Sequence, residues 1–219
     1  MAWSYSSLTA YETCPRRYYH TRVAKDVSEP ESQALTWGNA VHKALEARAK
    51  DGTPLPSGME QWEPLVAKIT STGGEVFTEK QIALTKAFAP CDWFAPEVWV
   101  RGVVDVGIVK RPLLIALDYK TGKPKHDSDQ LQLFAALLMA VFPDCDTVNT
   151  GFLWLKTNGI DQAKFMRGDL PDIWNRFLPR VRSLEAAHES DRWPQRPSGL
   201  CRNWCPCVQC EYNGRFGSH

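Results

Sequence analysis

Residues 97–122 read EVWVRGVVDVGIVKRPLLIALDYKTG, and this segment predicts the central strands of the fold. It contains two runs rich in β-branched and other apolar residues, 97–109 and 113–120, which suit strands. The segment Lys110-Arg111-Pro112 between them is short enough for a tight connection. The pattern therefore predicts a β-hairpin.

Apolar periodicity predicts the elements on either side of this hairpin. We expect strands at 75–84, 150–156 and 162–167, and helices at 38–50, 60–71, 127–142 and 171–189. Residues 3–25 are predicted to begin with a short helix that ends or bends at Pro15. Asn39 is predicted to cap the helix over 38–50, and Asp127 or Ser128 the helix over 127–142. Pro179 is expected to kink or split the last helix. This order of elements predicts an α/β protein with a mixed sheet whose first part is largely antiparallel.

Two acids and a lysine lie on the predicted hairpin. Asp118 and Lys120 are two residues apart, so their side chains point to the same face, and pairing of the two strands brings Asp105 near them. Aspartate is rare inside strands, and a buried carboxylate needs a partner or a metal ion. An isolated Asp-x-Lys is usually a surface ion pair. With Asp105 in a valine-rich strand, the set predicts a divalent metal site that could activate a water molecule.

His42 and Gln130 could complete such a site. His42 lies beside the apolar stripe of its helix and could supply a nitrogen ligand that favours manganese, although a single histidine is more often an ordinary core or surface residue. Gln130 opens the long helix after the lysine strand. It could bind a phosphate or support Lys120, or it could be a plain polar residue of a first helical turn.

Four cysteines crowd the C-terminal segment at 201, 205, 207 and 210, and Cys14 lies far from them in the sequence. Zinc could take the four local thiolates in a tetrahedral site. Cys205 and Cys207 are close together for two ligands of one centre, however. An iron–sulfur cluster held by Cys14, Cys201, Cys205 and Cys210 fits better and would join the two ends of the chain, leaving Cys207 over.

Composition limits the class of protein. The 219 residues are 43% hydrophobic with a net charge of +1, which suits a single domain over 1–219 and gives no global signal for nucleic acid. No apolar run is long enough for a membrane span, and the N-terminus lacks the features of a signal peptide. We therefore expect a cytoplasmic protein without a membrane partner.

The motifs taken together resemble a known family. They are Tyr11-x-x-Cys14-Pro15-x-x-Tyr18, Gly38-x-x-x-His42, Gly102-x-x-Asp105, Asp118-Tyr119-Lys120-Thr121-Gly122, Gln130-x-x-x-Phe134 and the C-terminal cysteines. In this order they resemble the RecB-like branch of the PD-(D/E)xK nucleases, especially its iron–sulfur group, which includes the AddB nuclease domain and the CRISPR-associated exonuclease. Stand-alone phage homologues belong to the same group.

The resemblance implies a restriction-endonuclease-like core, a mixed sheet flanked by helices, over 35–190. Residues 1–25 and 193–215 would form the cluster-binding portion. His42, Asp105 and Asp118 would bind Mn²⁺ or Mg²⁺, with Lys120 and Gln130 as further catalytic residues. Cys14, Cys201, Cys205 and Cys210 would hold a 4Fe–4S cluster, with Zn²⁺ as the alternative.

The implied activity is exonucleolytic hydrolysis of DNA, on single strands or free ends, in recombination, phage DNA processing or CRISPR adaptation, whose proteins are the implied partners. The alternative is a catalytically silent DNA-binding or adaptor protein that keeps the fold. Two departures stand out. Phe134 replaces the family's tyrosine, and the cysteine spacing C-x3-C-x4-C replaces the common C-x2-C-x5-C, with Trp204 at the usual place and Cys207 as a substitute ligand.

Overall fold

The computed structural model describes residues 1–124 and 128–216, with only the backbone of Ser128. The predicted cap at Asp127 or Ser128 therefore lies outside the described residues. The chain forms two compact units. We call Met1, Trp3–Ser32 and the segment from Arg176 onward the terminal unit, and Ala2 with Gln33–Asn175 the central unit. The predicted cluster-binding portion, 1–25 and 193–215, lies within the terminal unit apart from Ala2.

The elements of the described chain follow the predicted order. The strands are β1 (Trp3–Ser4), β2 (Glu75–Thr85), β3 (Pro90–Cys91), β4 (Val98–Lys110), β5 (Leu113–Lys120), β6 (Thr147–Trp154) and β7 (Gly159–Met166). The α-helices are α1 (Tyr5–Thr13), α2 (Pro15–Tyr18), α3 (Gln33–Asp51), α4 (Glu63–Ser71), α5 (Ser128–Val141) and α6 (Leu170–Ser190). The α/β class with a mixed sheet flanked by helices is confirmed.

The central unit is built on a sheet with the strand order β3-β2-β4-β5-β6-β7. The predicted hairpin is β4–β5, paired antiparallel from Lys110↔Leu113 to Val106↔Leu117. β5 and β6 pair in parallel, and α5 makes the crossover that parallel neighbours require. β2 and β7 pair antiparallel with β4 and β6. The hairpin thus lies in the middle of the sheet, with its carboxylates far from either edge.

Helices cover both faces of this sheet, as the alternation along β6 shows. Leu153 belongs to a core cluster with Val41 of α3 and Val66 of α4. Phe152 and Trp154 point to the other face and pack against Leu131 of α5. Because neighbouring residues of one strand serve opposite cores, β6 is apolar on both faces, which is typical of a buried parallel strand.

The predicted cap of α3 is wrong, and so is the predicted split at Pro179. α3 begins at Gln33, so Asn39 lies within the helix and does not cap it. Pro179 lies inside α6, which continues through it to Ser190, and the alternative of a kink stays a prediction. Phe177 and Val181 are fully buried on either side of the proline. Their burial on one face stabilises the helix through the position where one backbone hydrogen bond is lost.

The terminal unit has its own aromatic core. Ser4 caps α1 through its side chain, which accepts from the N–H of Ser7. Trp193 packs against Tyr11 and Tyr18 with ring centroids 6.4 and 5.8 Å apart. Within the described part of the chain, no helix combines the length and the apolar character needed to cross a bilayer.

Candidate active site and cysteine site

A cleft of about 670 Å³ opens in the central unit beside the end of the hairpin. α3 lines it with Gly38, His42 and Glu46, which share a helix face because they are four residues apart. A Cβ on Gly38 would lie 3.3 Å from Oγ1 of Thr121, just past the end of β5. The glycine therefore allows α3 to approach the lysine end of the hairpin closely, which positions His42 over it.

Asp105 lies where the hairpin opens. Pairing between β4 and β5 stops at Val106↔Leu117. Beyond that point Oδ2 of Asp105 accepts the backbone N–H of Tyr119 at 2.7 Å, in place of a strand carbonyl. The same oxygen lies 3.3 Å from Nδ1 of His42. The buried Asp105 carboxylate thus both closes the gap in the ladder and contacts the predicted imidazole.

Glu79 joins this pair, and sequence reasoning did not find it. It lies in β2 between the pairs Thr78↔Val106 and Lys80↔Val104, with no register partner of its own and a φ of 45°. Ligand atoms of His42, Glu79 and Asp105 all lie within 4.8 Å of one another. One glutamate in the polar run of β2 carries no signal of this role, because its position depends on the unusual backbone conformation.

Asp118, Lys120 and Gln130 form an adjacent group. Lys120 Nζ lies 2.5 Å from Oδ2 of Asp118 and donates to Oε1 of Gln130 at 3.4 Å. Gln130 in turn donates through Nε2 to Oδ1 of Asp118 at 3.1 Å. Asp118 is not a member of the close His42–Glu79–Asp105 group. The predicted site residues therefore fall into two neighbouring groups.

Four carboxylates lie in or next to the cleft and concentrate negative charge there. They are Glu46, Glu79, Asp105 and Asp118. Burial and then the charge of Asp105 raise the pKa of Asp118 to about 6. Burial, followed by the charges of Asp105 and Glu46, raises the pKa of Glu79. Burial lowers the pKa of His42. The hydrogen bond to Asp105 and the charges of the nearby carboxylates raise it by more, so the net shift is upward. A cation in the cleft would relieve this repulsion.

The donor set suits a small divalent ion. Carboxylate oxygens from Glu79 and Asp105 are ligands for Mg²⁺ and Mn²⁺, and the His42 nitrogen shifts the preference toward Mn²⁺. The three ligand atoms already lie close enough to share one ion. The residues present therefore fit the metal that the sequence predicts.

The family's tyrosine position is buried. Phe134 of α5 is 6% exposed and packs towards β4, where a Cβ on Gly102 would lie 3.9 Å from its ring and 2.5 Å from Leu137. Gly102 thus allows α5 to lie close against the sheet. Phe134 serves this packing and offers no hydrogen-bonding group.

All five cysteines of the predicted cluster region line one cavity in the terminal unit. They are Cys14, Cys201, Cys205, Cys207 and Cys210. Cys201 accepts the backbone N–H of Ser198 on its sulfur at 3.4 Å, and the buried Asn213 donates to the Cys205 carbonyl at 2.9 Å. Folding thus brings Cys14 to the C-terminal cysteines. Cys205 and Cys207 both reach the cavity, so either one can be a ligand.

The positions of the thiols and the charge around the cavity indicate which kind of metal group could bind there. Among the described residues, no three cysteine sulfurs lie within 4.8 Å of one another. A tetrahedral zinc ion would hold its sulfurs about 4 Å apart, given Zn–S bonds of about 2.3 Å. Arg16, Arg17 and Arg196 also line the cavity. The described thiols therefore do not already form a compact zinc-like group, and the basic lining suits an anionic ligand.

Comparison with known proteins gives the family context. The model of the PD-(D/E)XK nuclease superfamily matches residues 2–215. A solved structure from Eubacterium rectale named "putative exonuclease" is similar with a TM-score of 0.56 and 12% identity, covering 92% of this chain and 86% of that one. The structure of a protein named SSO0001 has a TM-score of 0.49 and 15% identity, with coverages of 97% and 87%. No curated protein matches at a significant level.

Proposed function

Because this chain belongs to the PD-(D/E)XK nuclease superfamily, we propose that it is a metal-dependent deoxyribonuclease whose active site is the cleft of the central unit. One observation carries the proposal: His42, Glu79 and Asp105 meet within 4.8 Å, next to a lysine held by an acid and a glutamine. Two acids and a lysine from neighbouring strands are what metal-assisted phosphodiester hydrolysis needs.

Each residue has a proposed task. His42, Asp105 and Asp118 are ligands by the family resemblance, and Glu79 is a further one by its geometry. The divalent ion, when bound, supplies Lewis-acid activation of the phosphodiester and of water. Lys120 orients the attacking water and stabilises the charge that develops on the phosphate. Gln130 holds both Lys120 and Asp118, so the ammonium group stays aimed at the reacting phosphate.

We further propose that the substrate is DNA with free ends, mainly single-stranded, and that cleavage is exonucleolytic. The name of the Eubacterium rectale neighbour agrees with this assignment. Recombination, phage DNA processing and CRISPR adaptation all require such trimming of ends. Lys43 and Asn39 line the cleft beside His42 and could contact the phosphate backbone of an entering strand.

Degradation of labelled single-stranded DNA in Mn²⁺ tests the proposal. Linear and covalently closed circular strands are compared, using the natural protein, Lys120→Met and the matched control Lys164→Met. Methionine keeps the Lys120 stem, whose ammonium lies 4.9 Å from the Phe152 ring centroid, while it removes the charge. Lys164 is an exposed lysine of β7 outside the cleft. We expect only Lys120→Met to lose activity, by roughly 100-fold or more.

Four outcomes separate the alternatives. Loss of linear strands with survival of circles supports an exonuclease, whereas loss of both makes the enzyme an endonuclease. Equal degradation by the natural protein and Lys120→Met would overturn the catalytic assignment. DNA binding without degradation in Mn²⁺ or Mg²⁺ would favour the catalytically silent adaptor.

For the terminal unit we propose a 4Fe–4S cluster bound by Cys14, Cys201 and Cys210 together with Cys205 or Cys207. Support comes from five cysteines around one cavity and from the arginines beside them. Such a cluster joins segments about 190 residues apart, where a cross-link restricts the unfolded chain most. Its role in this proposal is structural.

Anaerobic purification followed by iron, sulfide and zinc analysis tests the cluster. We expect about four iron atoms and four sulfides per chain, as a 4Fe–4S cluster requires. Cys14→Ser should lose the iron, while Cys91→Ser, a cysteine of the central unit, should keep it. A colourless, zinc-loaded protein would replace the cluster by the zinc alternative.

A further inference from the structure

Tyr119, between Asp118 and Lys120, has a buried hydroxyl group that has no hydrogen-bond partner among the described residues. The side chain is 2% exposed. Two other buried tyrosines have partners: Tyr11 donates to the Ser183 carbonyl at 3.0 Å, and Tyr18 lies 3.2 Å from Nε2 of His188. A buried hydroxyl without a partner is destabilising and calls for an explanation.

The position of Tyr119 relates this hydroxyl to the cleft. Its backbone N–H is held by Asp105, and its ring meets the His42 ring edge to face with centroids 5.9 Å apart. Tyr119 is one of the residues that line the cleft, together with His42, Glu79 and Asp105. The unpartnered hydroxyl therefore belongs to the residue that contacts two of the three close ligands.

We propose that the Tyr119 hydroxyl holds a water molecule of the hydration shell of the divalent ion bound by His42, Glu79 and Asp105. This inference rests on the proposed function, since it needs the ion. A small divalent ion with few protein ligands keeps several waters, and each ordered water needs polar partners. A phenol can donate to or accept from such a water.

Tyr119 acts in this view as a positioning residue. Its hydroxyl is unsatisfied in the metal-free protein and becomes satisfied when the hydrated ion enters. The hydroxyl therefore lowers the stability of the metal-free protein and raises the affinity for the ion. A residue with only a packing role would not have these two opposite effects.

Tyr119→Phe separates the two roles because it removes only the hydroxyl. Tyr11→Phe is the matched control, since it removes a hydroxyl that has a partner and lies outside the central unit. Melting temperatures are measured in EDTA and in MnCl₂. Mn²⁺ affinity is measured directly from the electron paramagnetic resonance signal of free Mn²⁺.

We expect Tyr119→Phe to melt about 2–4 °C higher than the natural protein in EDTA, because a buried hydroxyl without a partner is removed. Its Mn²⁺ affinity should fall about threefold to tenfold, the range of one hydrogen bond. Tyr11→Phe should melt lower in both solutions and keep the affinity. Calcium in place of manganese should give the same order of effects without turnover.

The outcomes separate the inference from its premise. If the natural protein binds no Mn²⁺, the proposed function fails. If it binds Mn²⁺ and Tyr119→Phe binds equally well, only the inference on Tyr119 is overturned. A lower melting temperature of Tyr119→Phe in EDTA would likewise overturn it, because the hydroxyl would then have a partner in the metal-free protein.

Discussion

Replacing Glu79 by glycine should make the protein more stable without metal and less stable with it. Glu79 has a φ of 45°, a left-handed conformation that glycine adopts without strain. Its carboxylate also lies among the charges of Asp105, Glu46 and Asp118, which oppose its ionisation. The backbone strain and the charge repulsion both destabilise the metal-free protein. Both are explained if the carboxylate binds a cation.

The size of the effect follows from these features. Relief of the left-handed backbone contributes about 1–2 kcal/mol, and the flexibility of glycine in the unfolded chain offsets about 0.5–1 kcal/mol of it. The net gain of about 1 kcal/mol raises the melting temperature by about 2–4 °C at this chain length. Relief of charge repulsion acts in the same direction.

Manganese should reverse the order. At a concentration of about 100 times its dissociation constant, the ion stabilises the natural protein by about 2.7 kcal/mol. Loss of one of three close ligands should weaken binding about 100-fold or more, the upper range seen when groups supporting a metal site are removed. The same concentration then stabilises Glu79→Gly by only about 0.4 kcal/mol. The variant should therefore melt below the natural protein in Mn²⁺.

Thermal unfolding in EDTA and in MnCl₂ measures both signs, with two controls. Glu79→Gln keeps the backbone strain and removes the charge. Asn158→Gly relieves a φ of 51° in the turn after β6 and should not change the response to metal. A Glu79→Gly protein that is destabilised in EDTA, or that keeps the full response to Mn²⁺, would refute the reasoning.

Two further predictions concern the Asp118 group. The pKa of Asp118 is about 6 in the folded protein, against an ordinary 3.8. Protonation of Asp118 therefore stabilises the folded state, and without metal the free energy of unfolding should fall by about 3 kcal/mol as the pH rises from about 4 to about 6. Urea unfolding in EDTA across this range should show that loss relative to Asp118→Asn, and parallel curves for the two proteins would contradict it. Gln130→Leu should lower kcat about 10-fold while Mn²⁺ affinity stays within about twofold, because Gln130 holds Lys120 and Asp118 and lies outside the close ligand group. Equal losses in kcat and in metal affinity would place Gln130 in the metal site itself.

Much of the fold could be predicted from local patterns. Strands β4 and β5 and the helix α5 appear where the apolar runs and periodicity place them, because burial of those faces is a local property of the sequence. One boundary failed without a burial signal: α3 extends back to Gln33 past the expected cap, although residues 33–37 are exposed.

The proximity of the two acids and the lysine could be predicted, because residues two apart on a strand share a face and paired strands lie side by side. Their catalytic role stays a prediction. His42 and Gln130 required more, since their helices had to pack on particular faces of the sheet. Glu79 could not be predicted: its φ of 45° and its position in β2 opposite Asp105 depend on how β2 pairs with β4, and nothing in the neighbouring residues indicates either. The unpartnered hydroxyl of Tyr119 is equally invisible in the sequence.

Local patterns were sufficient for the class of fold, the hairpin and the proximity of two acids and a lysine, because these depend on residues close together along the chain. The position of Glu79 beside His42 and Asp105 followed only from the tertiary structure. The physical reason is distance along the chain. Contacts between remote segments depend on how whole elements pack and on backbone conformations that the packing enforces, and short-range patterns carry neither.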